Sequence, residues 1–120
     1  MNYAMLVYTN QERWERLTKD ERNRVHAECG AWHEELVKSG HARSATGLQP
    51  ISTATTLREK DGRITITDGP FAETKEILGG FELVDCKDLD EAIAIGKRFP
   101  ALRVGSSLEL RPLVTGPCVD

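Results

Sequence analysis

The 120-residue sequence contains no apolar segment long enough to cross a membrane. The apolar run at residues 3–8 is far shorter than the roughly 20 residues that a spanning helix needs. No basic residue precedes this run, so the charged start of a secretory signal peptide is missing as well. We therefore expect a cytoplasmic protein without a membrane partner.

An excess of positive charge is also missing. The chain has 16 Lys and Arg residues against 19 Asp and Glu residues, which gives a net charge of −3. Nucleic-acid-binding domains usually present a basic face, and the sequence has no basic stripe interleaved with aromatic residues. We expect no nucleic-acid partner. The apolar fraction of 39% and the lack of low-complexity runs predict one folded domain over residues 1–120.

Cysteine is scarce and odd in number. Cys29, Cys86 and Cys118 include no CxxC pair, whereas a disulfide framework needs an even count and a zinc site needs clustered ligands. No two histidines have the HxH or HExxH spacing of a metal site. Phosphate-binding glycine motifs and the GxSxG nucleophile motif are absent too. We expect free thiols, no metal and no cofactor.

The apolar pattern that is present predicts an α+β fold. The predicted elements in chain order are a strand at 3–8, a polar segment at 11–17, a helix from 18 to 39, an extended segment at 41–49, a hairpin of strands 52–58 and 63–67, a polar loop or turn at 72–78, a strand at 80–85, a helix from 88 to 99 and a strand at 107–111. Without the hairpin, the order is β-α-β-β-α-β, the ferredoxin-like plan.

Local signals support the main elements. Thr18 and Glu21 have the spacing of a capping box. After them, apolar residues recur at helical spacing, namely Val25, Cys29, Trp32 and Leu36. Asp61-Gly62 is a strong two-residue hairpin signal. In the second helix, we expect Asp88 to be the cap. Its predicted inner face comprises Leu89, Ala92, Ile93 and Phe99.

One face of the predicted sheet should be uncovered, because two helices can cover only the other. We expect it to present apolar side chains from the first strand and from Phe81, Leu83 and Leu108. An exposed apolar patch usually marks a partner surface. We therefore expect a homodimer formed through the sheet face. A cleft between the sheet and its loops could hold a small-molecule ligand.

The segment 68–80 stands apart in composition. It gathers Asp68, Glu73, Lys75 and Glu76 around a Gly-Pro turn and ends in a pair of glycines. The carboxylates could transfer protons, with the lysine holding their charge. Two structural alternatives remain open. The segment could be an ordinary solvated loop, or the aspartate could cap the turn that follows it.

This segment carries a family resemblance. The string DGPFAETKE, followed by LGGF, resembles the signature of the DGPF branch of YCII-related proteins. The likeness extends over nearly the whole chain, from the first strand to Leu110-Arg111-Pro112. The resemblance implies a dimeric α+β barrel of ferredoxin-like subunits.

The resemblance implies two kinds of function. Members are described as enzymes in which a His and an Asp face a shared pocket, and one branch contains a dehydrochlorinase. DGPF members also occur beside extracytoplasmic-function sigma factors, which implies regulation. Asp68 belongs to the motif and is the acidic candidate. The family places the histidine in the first helix, where this chain has His26 and His33.

Two functional hypotheses follow, and whether the protein is an enzyme stays open at this point. In the first, a dimer binds a small molecule or a protein partner, such as a sigma factor. In the second, a lyase-like or isomerase-like enzyme exchanges protons through Asp68 and either His33 or His26. For both hypotheses, the predicted ligand-binding residues are Gln49, Pro70, Phe71, Glu73, Lys75 and Glu76.

Overall fold

The structure is a computed structural model that describes residues 1–116. Its strands are β1 (Asn2–Asn10), β2 (Ala42–Gly47), β3 (Thr55–Lys60), β4 (Arg63–Asp68), β5 (Glu76–Asp85) and β6 (Ser107–Pro112). Its α-helices are α1 (Gln11–Glu15), α2 (Lys19–Lys38) and α3 (Leu89–Lys97), and two 3₁₀ turns span Ile51–Thr53 and Pro100–Val104. Cys118 lies outside the described residues.

The strands form two antiparallel sheets. The main sheet has the order β2-β5-β1-β6, and β3 pairs with β4 in a separate two-stranded ribbon. With the ribbon set aside, the chain follows β-α-β-β-α-β with the strand order of the ferredoxin-like plan. The predicted α+β class is confirmed. β1 lies between β5 and β6, as its apolar residues on both faces predict.

Helix α2 forms as its sequence predicts. The Thr18 hydroxyl accepts a hydrogen bond from the Glu21 amide, and the Glu21 carboxylate accepts one from the Thr18 amide. The apolar stripe faces the sheet, because Val25, Trp32 and Leu36 are buried. The Trp32 indole donates to the backbone oxygen of Ile95 at 3.1 Å, which joins α2 to α3 on one face of the sheet.

Helix α3 is rotated relative to the prediction. Asp88 caps it by accepting from the Glu91 amide, as expected. Its buried residues, however, are Ala92, Ile95 and Gly96. Leu89 and Ile93 are exposed, so the expected inner face was wrong at these two positions. The buried face is set by tertiary contacts, because Gly96 lies against Leu108 of β6 and Ile95 accepts a hydrogen bond from the Trp32 indole.

Three other boundaries also differ from the prediction. The polar segment 11–17 includes the short helix α1, which Asn10 caps. Strand β3 begins at Thr55 because residues 51–53 form a 3₁₀ turn. Strand β5 begins at Glu76, inside the predicted loop 72–78, because it pairs with β1 beyond a register shift near Gly79. Pairing with β1 thus extends β5 through Gly79, a residue of weak strand propensity, although the ladder with β2 ends at Gly80.

The two faces of the main sheet have different environments. Tyr3 and Met5 point toward the helices and are buried with Val84 in the core. The alternate residues Ala4 and Leu6 point away from the helices, where they lie opposite Leu83 and Phe81 of β5. We find no described helix on this second face. Leu108 was expected there, but it packs on the helix side, against the core.

The β3–β4 ribbon turns at Asp61-Gly62, where both residues have positive φ angles, as the hairpin signal predicts. Cross-strand pairing places Leu57, Ile64 and Ile66 on one face of the ribbon. All three side chains are more than half exposed. The ribbon therefore has one apolar face that the described chain does not cover.

Candidate functional site

A cavity of about 1060 Å³ lies between α2 and the main sheet. Its floor includes residues from the centre of the sheet, and the segment 47–52 after β2 closes one side. Trp14 of α1 and the helical residues His26 and His33 line the opposite side. The cavity therefore lies where the sequence predicted a cleft between the sheet and its loops.

Glu82 and His33 form the central polar contact of this cavity. Glu82 lies in the middle of β5, between Met5 of β1 and Ala45 of β2. Its Oε1 atom is 2.6 Å from Nδ1 of His33. The glutamate side chain is 4% exposed, whereas the histidine is 35% exposed and reaches toward the opening. The pair thus connects the buried sheet to the open part of the cavity.

The Glu82 carboxyl is incompletely satisfied. Its Oε2 atom is buried and has no hydrogen-bond partner among the described residues. Burial raises the pKa of this carboxyl, although the hydrogen bond from His33 opposes the rise. A buried carboxyl that retains its proton more readily than usual, beside an imidazole, can share or transfer a proton.

His26 precedes His33 by about two turns of α2 and also lines the cavity. Its side chain is exposed, and its ring meets the Trp14 ring edge-on with 5.1 Å between centroids. Glu15, also exposed, lines the same rim. Both candidate histidines thus face one cavity, but only His33 contacts a buried carboxyl.

A second cavity of about 440 Å³ adjoins the first. The segment 48–51 and the β5 residues Ile77 and Leu78 line both cavities. Pro70 and Phe71, which follow the ribbon, line only the second one. The predicted ligand-binding residue Gln49 therefore lies on the wall between the two cavities, and Pro70 and Phe71 lie on the far side of that wall.

The charged residues of the DGPFAETKE segment lie elsewhere. Asp68 is an exposed residue at the end of β4, opposite Thr55 in the ribbon, and lines neither cavity. The other three are exposed and also line neither cavity, namely Glu73, Lys75 and Glu76. The structure therefore brings His33 to Glu82, and it does not gather Asp68 with either histidine in one cavity.

Glu82 is the site residue that the sequence analysis missed. Its signal is the alternation Gly80-Phe81-Glu82-Leu83-Val84, which places the glutamate on the same face as Val84. A charged residue at a core-facing strand position is rare unless it is paired. That conflict between charge and position identifies the residue, but the contact with His33 depends on how α2 packs on β5.

Potential metal ligands and thiols are the other reactive groups to consider. Within residues 1–116, no group of three or more His, Cys, Asp or Glu side chains is arranged to hold a metal ion. Cys86 is a buried free thiol and Cys29 is a half-buried one. Burial raises the pKa of both thiols, so neither is activated as a nucleophile.

Comparison with known proteins identifies the family. The family model of the YCII-related domain matches residues 1–114. The chain belongs to the YCII-related family. A Rhizobium meliloti (strain 1021) protein described as uncharacterised is 38% identical over 114 residues, covering 94% of this chain and 92% of that protein. No helix of the described YCII-related chain is both long and apolar enough to span a membrane.

A solved structure shares the fold of this YCII-related chain. It is the 5-chloro-2-hydroxyhydroquinone dehydrochlorinase of Burkholderia phenoliruptrix AC1100, in complex with 2,5-dihydroxybenzoquinone. The TM-score is 0.57, and the match covers 97% of this chain and 96% of the other. The sequence identity is 14%, so the likeness concerns the fold.

Proposed function

We propose that this YCII-related protein is an acid–base enzyme, of lyase or isomerase type, that acts on a small organic molecule in the first cavity. The buried Glu82–His33 pair is the observation that carries the proposal. The pair fits proton transfer because its carboxyl is desolvated and its imidazole faces the opening. The fold shared with a dehydrochlorinase adds support, because such an enzyme removes a proton together with chloride.

The two residues take different roles in the proposed mechanism. With Glu82 bonded to Nδ1, the His33 ring is held in one orientation and its Nε2 atom is left to face the ligand. Nε2 takes a proton from the substrate, and the carboxylate stabilises the imidazolium that forms. The proton then leaves with a departing group or returns to a neighbouring substrate atom.

The test measures turnover in matched variants. The chloride-bearing probe is 5-chloro-2-hydroxyhydroquinone, and exchange of substrate protons for deuterium is followed by NMR for a panel of hydroxylated aromatics. We expect His33→Gln and Glu82→Gln to lower the rate by at least about 100-fold, the usual contribution of a general acid or base. His41→Gln is the control, because His41 bonds to Ser39 and Glu91 and lines neither cavity.

Retention of turnover in both His33→Gln and Glu82→Gln would contradict the mechanism. Asp68→Asn tests the motif residue in the same assay. We expect this variant to retain its rate, because Asp68 lines neither cavity. Loss of turnover in Asp68→Asn would restore the Asp68–histidine pair that the family resemblance implies.

A second function, regulation through a protein partner, is supported by the surface of the DGPFAETKE segment. Phe71 is 74% exposed there, among the exposed charges of Asp68, Glu73 and Lys75. A large exposed aromatic residue among charges is typical of a binding surface. An extracytoplasmic-function sigma factor is the partner to test. Phe71→Ala should weaken its capture at least about tenfold.

We further propose that the protein is a homodimer that pairs through the uncovered sheet face, as in a dimeric α+β barrel. Ala4, Leu6, Phe81 and Leu83 share this face, and isologous pairing would remove their apolar surface from water. Free thiols at Cys29 and Cys86 fit a cytoplasmic place of action.

A further inference from the structure

The two cavities have an unusual charge balance. Among the described residues that line them there is no lysine or arginine. Two carboxyl groups face the larger cavity, Glu82 from the sheet and Glu15 from the rim. The basic groups that line it are the imidazoles of His26 and His33, and the latter is already bonded to Glu82. An anionic ligand would therefore lose its hydration without gaining a permanent cation as a partner.

The sheet supplies one acceptor that no described residue uses. Glu82 is 3% exposed, its Oε1 atom is bonded to His33, and its Oε2 atom has no partner. A buried acceptor left without a donor destabilises the folded protein. A ligand that brings an N–H donor to this oxygen removes that destabilisation. The cavity thus favours a donor over an acceptor at its polar end.

The aromatic lining favours positive charge. Trp14, Trp32 and Phe99 line the larger cavity, and Trp32 and Phe99 meet edge-on with 5.0 Å between ring centroids. The faces of aromatic rings carry negative electrostatic potential and attract ammonium groups within roughly 6 Å. Indole rings do so most strongly. The aromatic rings and the carboxyl groups of the larger cavity therefore both favour a positively charged ligand.

We propose that the larger cavity binds a small organic ammonium ion, with the ammonium group donating to Oε2 of Glu82 beside the aromatic rings. This inference rests on the proposed function only because both concern the same cavity. It adds the chemical class of the ligand. Leu48 and Ile51 also line the larger cavity and offer apolar contacts for the body of such a ligand.

The test uses the protein's own fluorescence. The sequence contains two tryptophans, Trp14 and Trp32, and both line the larger cavity. Three probes of matched length are titrated at neutral pH: phenylpropylamine, phenylpropanol and phenylpropionate. We expect the amine to bind at least about tenfold more tightly than the alcohol, which is a typical benefit of a charged hydrogen bond. The carboxylate should give no saturable change.

Matched variants locate the ammonium group. Glu82→Gln should weaken amine binding to the level of the alcohol, about tenfold, and Glu15→Gln should weaken it two- to threefold, about what an exposed carboxylate contributes. Glu34→Gln is the control, because Glu34 is an exposed residue of α2 that lines neither cavity. Its affinity for the amine should equal that of the wild type. Thermal unfolding of each variant verifies that it is folded.

The outcomes separate this inference from the proposed function. Equal or tighter binding of the alcohol or the carboxylate would overturn the ammonium assignment, as would an unchanged amine affinity in folded Glu82→Gln. If His33-dependent turnover persisted in that case, the proposed function would stand. Conversely, an amine preference that depends on Glu82 would support the ligand class even if turnover did not depend on His33. Turnover that does not depend on His33 would contradict the proposed enzyme mechanism.

Discussion

At the scale of single residues, Glu82 is stabilised by little besides His33. Its carboxyl is almost fully buried, yet only one of its two oxygens has a partner among the described residues. Replacing a buried ion pair with neutral groups often costs nothing, whereas removing one partner is expensive. The Glu82–His33 contact therefore contributes little to stability, which fits a role in function.

The raised pKa of Glu82 predicts how stability depends on pH. The folded protein holds the Glu82 proton more tightly than the unfolded chain, for which the ordinary value is 4.5. The favourable contribution is therefore fully present below pH 4.5 and is lost as pH rises through the raised folded value. As pH rises above 4.5, we expect the free energy of unfolding to fall more in the wild type than in Glu82→Gln.

Urea unfolding of both proteins at several pH values measures this difference. Glu34→Gln is the matched control and should follow the wild-type profile, since Glu34 is exposed. Parallel profiles for the wild type and Glu82→Gln would show that the carboxyl has an ordinary pKa in the folded state.

Three of the candidate residues named from the sequence line the larger cavity, namely His33, His26 and Gln49. Their roles stay predictions. Glu82 was missed because its importance arises from a contact across 49 positions of sequence. Asp68 was favoured by its motif, and a motif does not reveal on which sheet its residue will lie.

At the scale of elements, the close approach of β2 and β5 shapes the cavity. A side chain at Gly80 would place its Cβ atom 2.7 Å from the backbone oxygen of Thr46 and 3.2 Å from the Cα atom of Gly47. Backbone atoms in a paired strand cannot move aside cheaply. Because the shared cavity wall at 48–51 continues directly from β2, the spacing at Gly80 also sets the position of that wall.

Gly80→Ala should therefore destabilise the protein by about 1–3 kcal/mol, the usual cost of overpacking. It should also weaken ligand binding. Gly30→Ala is the matched control, because a Cβ atom at this helical position would meet nothing within 4 Å. That variant should gain roughly 0.8–1 kcal/mol from helix propensity. Denaturant unfolding measures both, and equal stability of Gly80→Ala and wild type would contradict the close approach.

Elements with strong local codes were predictable. The capping box of α2, its buried stripe and the Asp61-Gly62 turn all formed as expected. Elements that depend on tertiary contacts were not. β5 extends to Glu76 because β1 pairs with it that far, and the face that α3 buries is the one that contacts Leu108 of β6 and Trp32 of α2.

At the scale of the whole molecule, apolar surface predicts assembly. Leu6→Glu would place a charge on the uncovered sheet face, opposite Phe81. If that face is the dimer contact, burying an unpaired charge should weaken dimerisation by at least about 100-fold. Native mass spectrometry should then show the species at twice 13.4 kDa replaced by one at 13.4 kDa.

Leu89→Glu is the control for this experiment. Leu89 is an exposed residue of α3, on the helical side of the molecule, and its substitution should leave the dimer intact. A wild-type protein that is monomeric at micromolar concentration would overturn the homodimer proposal.

The chain topology could be predicted because each element has its own pattern, and β-α-β-β-α-β is a common way to arrange them. The side of the sheet on which Leu108 lies could not be predicted. Strand alternation assigns side chains to two faces, but it does not indicate which face the helices cover. That choice depends on how α2 and α3 pack, which no local stretch of sequence encodes.

The central position of β1 has a consequence for synthesis in the cell. This strand leaves the ribosome before both of its partners, which begin at Glu76 and Ser107. At roughly 5–20 residues per second, its apolar side chains wait several seconds for a second strand and longer for a third. The nascent chain must stay unaggregated through that interval, so the yield of native protein should depend on translation speed and on chaperones that hold an exposed strand.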